Sequence, residues 1–135
     1  MFKHTVEYVD FNGNQRKEEL LFHLSLPEVT RLQAEIGKDI KDHVQELVAN
    51  QDLNELLKFM ETMMLNAYGQ KTSDGKSFQK SRALRESFEY SQAYAEIFEQ
   101  MMTNPELAKK FGEKVADDGK QRKNHVAPTV VGQPE

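Results

Sequence analysis

The sequence predicts an α+β fold, predominantly α: an N-terminal β-hairpin packed on about five helices, with a flexible C-terminal tail. Three observations carry that reading. Apolar residues alternate over the first nine positions and lead to an Asn-Gly pair. Helix-start and helix-stop residues then recur from Ser25 to Ala116, and periodicity disappears beyond Asp117. The 135 residues fit one compact domain, expected over residues 1–116, with residues 117–135 as the tail.

The hairpin is expected over residues 2–24. Phe2, His4, Val6 and Tyr8 fall on one face, and Lys3, Thr5, Glu7 and Val9 on the other, which is the two-residue period of a strand. Asn12-Gly13 tolerates the positive φ of a tight turn. The run from Arg16 to Leu24 can return as the partner strand. An isolated hairpin is marginal in water, so it must pack on the helices.

Ser25-Leu26-Pro27-Glu28 combines an N-cap, a proline in the first turn and a capping-box glutamate. The helix it opens spans about 26–36 and stops at Gly37. Ile40, Val44, Leu47 and Val48 mark a second helix over about 38–50. Asp52 and Glu55 open a third over 53–68, carrying Leu53, Leu56, Leu57, Met60, Met63, Met64 and Ala67 at helical spacing. From Gln70 to Lys80 the chain is polar, with Thr72-Ser73-Asp74-Gly75 as a turn. A long helix is predicted over 81–102. Asn104-Pro105 ends it and opens a last one over 105–116.

Charged residues make up 30% and hydrophobic ones 38%, so a modest core sits inside a large solvated surface. A net charge of −4 and a pI near 5.6 argue against general phosphate binding. The absence of cysteine removes disulfides, thiolate chemistry and cysteine-rich zinc sites. No apolar run approaches the roughly 20 residues of a membrane span. The opening residues carry no stretch of signal-peptide type either. The chain reads as a soluble protein that stays where it is made, with no membrane partner.

Nothing marks catalysis. The histidines stand at 4, 23, 43 and 125, too scattered for a ligand set. Asp39 lies one helical turn before His43, the spacing of a two-ligand metal face, but a third ligand is missing and a solvated helix surface is the weightier reading. No nucleophile elbow or glycine-rich phosphate loop is present. The expectation is a binding protein, not an enzyme, with no cofactor and no metal. Lys71, Lys76, Lys80, Arg82 and Arg85 form a basic segment opposed only by Asp74. Phe78 is the one aromatic among them, too few for a base-stacking platform. Nucleic acid is therefore an improbable partner, and steering of acidic proteins is an alternative use.

The span 81–102 is the most informative. Leu84, Phe88, Ser91, Ala95, Phe98 and Met102 form one stripe, and Ala83, Ser87, Tyr90, Tyr94, Ile97 and Met101 form a second beside it. One packed seam needs one stripe, so either the helix is central or one stripe meets another protein. Tyr and Met are favoured at interface cores. Tyr90, Tyr94, Ile97 and Met101, with Phe78, are thus the expected partner-binding residues.

The residues also resemble a family. Phe2 to Asp10 with Asn12-Gly13, and Phe22-His23-Leu24-Ser25 entering a helix, are similar to tail assembly chaperones of siphophages that infect Gram-positive hosts. So are Leu65-Asn66-Ala67-Tyr68-Gly69-Gln70-Lys71, Ser73-Asp74-Gly75-Lys76-Ser77-Phe78, Lys80-Ser81, Leu84-Arg85, Phe88, Ala93-Tyr94, Glu96 and Phe98. The likeness covers most of residues 1–116. It implies a chaperone that binds the long helical tape measure protein in the host cytoplasm, keeps it soluble, promotes tail tube assembly and is absent from the virion. It also implies a longer form made by ribosomal frameshift, whose extension engages the tail tube protein. Ala108-Lys109-Lys110 can encode the slippery run. Self-association is a further expectation. The rival readings are a small nucleic-acid regulator using Lys71–Arg85, an inhibitor of a host enzyme, and a hydrolase with an unmarked carboxylate site.

Overall fold

The computed structural model describes residues 1–118. Strands β1 (Phe2–Val9) and β2 (Gln15–Phe22) pair antiparallel, with Phe2 opposite Phe22 and Val9 opposite Gln15. The predicted alternation is what is seen: Phe2, His4, Val6 and Tyr8 are withdrawn from solvent, and Lys3, Thr5, Glu7 and Val9 are exposed. The Asp10 carboxylate pins the turn. It accepts from the Asn12 and Asn14 N–H groups, both at 2.9 Å, and from Arg16 Nε at 2.7 Å. Gly13 supplies the positive φ of 83°.

Helix α1 (Leu26–Ile36) begins with the predicted reciprocal box. Glu28 N–H donates to Ser25 Oγ, and Ser25 N–H donates to Glu28 Oε1. Gly37, at φ 77°, ends the helix in the left-handed conformation. Helix α2 (Ile40–Ala49) starts two residues later than its sequence pattern suggests, because Asp39 is its cap and accepts from Lys41 N–H. Helix α3 (Leu53–Ala67) is capped by Asp52.

The polar stretch after α3 holds a second hairpin that the sequence reading lacked. Strands β3 (Tyr68–Lys71) and β4 (Phe78–Gln79) flank the Thr72–Gly75 turn, and β3 pairs with β2. The sheet therefore has four strands in the order β1-β2-β3-β4. Their outward residues are polar and the strands are short, so no alternation announces them. Gly69 is required here. A Cβ at this position would stand 2.5 Å from the Gln79 carbonyl oxygen and 2.6 Å from the Phe78 ring.

The span read as one helix over 81–102 is two. Helix α4 (Arg82–Glu89) ends at Tyr90, and α5 (Gln92–Thr103) begins after Ser91, whose backbone is extended at φ −96°, ψ 158°. Ser91 Oγ accepts from Tyr94 N–H at 3.1 Å and donates to the Phe88 carbonyl at 2.6 Å. One side chain thus caps the new helix and closes the old one. Helix α6 (Pro105–Asp118) runs two residues past its expected end. Asp117 and Asp118 are helical, and Asp118 is buried against the Met1 amino group, with Lys114 Nζ at 3.6 Å. The remainder of the expected tail, 119–135, lies outside the described residues.

The core gathers around Phe22, which is fully buried. Its ring meets Phe111 edge-on at 5.4 Å, Phe88 at 5.9 Å and Tyr68 at 6.0 Å. Tyr68 stacks flat on Phe88 at 4.0 Å, and Phe88 meets Tyr94 at 5.2 Å. β2, β3, α4, α5 and α6 are thereby locked to one aromatic chain. Burying a ring of this size contributes on the order of 2–3 kcal/mol.

Candidate partner-binding site

The break at Ser91 decides where the expected partner-binding residues go. Tyr94, Ile97 and Met101 keep 8%, 0% and 2% of their surface and belong to the core. Burial and then the nearby Glu61 charge push the Tyr94 hydroxyl up, and that hydroxyl donates to Glu61 Oε1 at 3.2 Å. The α5 half of the second stripe is therefore core, whereas Ala83 and Ser87 on α4 are exposed. The stripe spans two helices, and only its α5 part is buried between the sheet and the neighbouring helices. Tyr90 separates from it: as the last residue before the break it is 74% exposed. Phe78 is half-buried on β4, 5.7 Å edge-on from the His23 ring. The structure thus does not bring the five expected residues into one surface.

What it does form is an open groove of ≈ 820 Å³ between α1 and α4. Its apolar lining is the half-buried Leu32 and Tyr68, backed by Leu24 and Leu65, which are buried in the core. Glu28, Arg31 and Glu35 stand on the α1 wall, and Lys80, Arg82, Arg85, Glu86 and Glu89 on the α4 wall. One end is closed by a tertiary ion pair: Lys80 Nζ donates to both Glu28 oxygens, at 2.8 and 2.7 Å. Burial would raise the Glu28 carboxyl, but the Lys80 ammonium and the Ser25 N–H outweigh it and hold it below its ordinary value. Burial pulls the Lys80 ammonium below its usual value, and Glu28 offsets part of that. Both directions describe one partly desolvated pair at the groove's end.

This arrangement also redistributes the basic segment. Lys80 is tied to Glu28, and Arg82 to Glu86 at 2.9 Å. Lys71, Lys76 and Arg85 take part in no ion pair among the described residues. A rim with four carboxylates beside four cations suits a protein of mixed charge better than a phosphate backbone. Sequence reasoning missed the groove because Glu28 and Lys80 are 52 residues apart. The one local signal was the run Arg82, Arg85, Glu86 and Glu89 on a short helix whose single buried residue is Phe88.

The Asp39–His43 pair is occupied by structure. Asp39 caps α2, and the His43 ring lies edge-on to Phe59 at 4.7 Å. No group of three or more metal-ligating side chains is clustered among the described residues. No helix among them is long and apolar enough to cross a membrane.

Residues 1–118 match a family model described as phage tail assembly chaperone. No curated protein matches, and no solved structure does.

Proposed function

The chain belongs to the phage tail assembly chaperone family, and from that premise we propose that it binds the tape measure protein of its phage. In this reading it holds an aggregation-prone helical protein soluble in the host cytoplasm until tube subunits assemble around it. It performs no chemistry of its own and leaves before the virion is complete. The observation that carries the reading is the family match over the whole described part of the chain. The amphipathic groove between α1 and α4 supports it, since a tape measure offers long helices with apolar stripes.

The longer product made by frameshift, with an extension for the tail tube protein, belongs to the same proposal. A shift at Lys109-Lys110 would carry a structural cost. It would replace Phe111 and Val115, both fully buried, and Phe111 packs edge-on against Phe22. The new sequence would need apolar side chains at those two positions to keep the core.

Co-expression with the cognate tape measure protein tests the proposal. The tape measure should move from the pellet to the soluble fraction and co-purify with this chain. A tape measure that stays insoluble, or purifies without it, refutes the reading.

A further inference from the structure

Four charged side chains on the rim of the groove take part in no ion pair or hydrogen bond among the described residues: Arg31, Glu35, Arg85 and Glu89. Their order is the same on both walls. Helices α1 and α4 both start at the Glu28–Lys80 bridge. From that bridge each wall presents an unpaired arginine and, four residues on, an unpaired glutamate. Four residues are one helical turn, about 6 Å. The groove therefore carries positive charge nearer the bridge and negative charge one turn further. The helix N-termini at the bridge add their partial positive charge to the same end.

We propose that this groove is the docking site for one amphipathic helix of the client protein. That helix would have an apolar stripe for the half-buried Leu32 and Tyr68, which lie over the buried Leu24 and Leu65. It would carry acidic side chains against Arg31 and Arg85, and basic ones a turn later against Glu35 and Glu89. The inference rests on the tape measure reading and adds the surface and the chemistry it selects. Charge complementarity fixes the orientation of the client helix: its acidic turn lies toward the Glu28–Lys80 bridge. A nucleic acid is disfavoured by the two free carboxylates, and a purely apolar helix would leave all four charges facing it unpaired. Rim charges of this kind set register and partner choice more than bulk affinity.

The test uses the full chain and the cognate tape measure protein as probe, with binding measured at low and high salt. Arg31→Glu with Arg85→Glu should weaken binding at least tenfold while the melting temperature holds, because both side chains are exposed. Arg31→Gln with Arg85→Gln, which removes attraction without adding repulsion, should weaken it less. A distant reversal, Lys58→Glu with Lys109→Glu, should leave it unchanged. Added salt should weaken wild-type binding and shrink the difference between wild type and the glutamine pair. Wild-type binding that both groove variants match would overturn the docking site and leave the tape measure reading standing. A wild-type chain that does not bind the tape measure at all overturns both.

Discussion

Helices α4 and α5 are neighbours in sequence, joined by two residues, and the apolar stripes of the sequence run through both. They meet opposite environments. α5 buries Ala93, Tyr94, Ile97 and Met101, and its Gln100 side chain reaches across to His4 on β1 at 2.6 Å. α4 buries only Phe88 and turns Arg82, Arg85 and Glu86 to solvent along the groove. One helix holds the sheet and the other holds a surface open. The difference comes from the break at Ser91, whose extended backbone separates the two helices and whose side chain caps the second. An apolar stripe read across such a break joins residues that never share a face.

The largest effect should come from α5. Ile97→Ala removes a fully buried side chain and should cost about 2–5 kcal/mol. Thermal unfolding should show a fall of roughly 10 °C or more. Client capture should be lost together with the fold, not ahead of it. An Ile97→Ala protein that melts normally yet fails to bind would return α5 to the partner surface and break the comparison.

Gly69→Ala extends the comparison to the strand beneath α4, where Tyr68 stacks on Phe88. The added methyl meets the Gln79 carbonyl, which is backbone and cannot rotate away. A loss of about 1–3 kcal/mol is expected in denaturant unfolding. An unchanged midpoint would mean β4 separates from β3 at little cost.

Ser91→Ala sharpens the comparison at its hinge. It deletes the cap on α5 and the bond to the Phe88 carbonyl. A loss of about 1 kcal/mol is expected, with client binding reduced only as far as α4 shifts against α1. Stability equal to wild type would show that packing alone enforces the break.

The smallest effect lies at the groove's closed end. The Glu28 carboxyl is held below its ordinary value of 4.5. A depressed carboxylate adds stability above its unfolded pKa and loses it as pH falls through the folded one. Wild-type stability should therefore decline below pH 4.5 more steeply than that of Glu28→Gln. The difference should be under ~1 kcal/mol, since both partners are partly solvated. Parallel pH profiles would show that the bridge to Lys80 contributes nothing.

Much of this fold was legible because its signals are local. Ser25 and Glu28, Gly37, Asp52 and Asn12-Gly13 each dictate a backbone conformation within four residues, and each stands where the pattern put it. The second hairpin was not legible, since Gln70, Lys71 and Gln79 are polar and their pairing is decided by β2. The break at Ser91 carried a faint signal. Serine is a good cap, but Tyr90-Ser91-Gln92 has neither glycine nor proline to stop a helix. The groove was least legible. It exists because β3 and β4 bring Lys80 back to Glu28, and no periodicity encodes a contact over 52 residues.

Amide hydrogen exchange, measured on the chain alone and with the cognate tape measure protein, tests the division of labour between the two helices most directly. The free chain should already protect α5 strongly and α4 weakly, following their burial. Adding the client should slow exchange over 26–36 and 82–89 and leave 92–103 as it was. Slowing centred on 92–103, with α1 and α4 unchanged, would contradict the account.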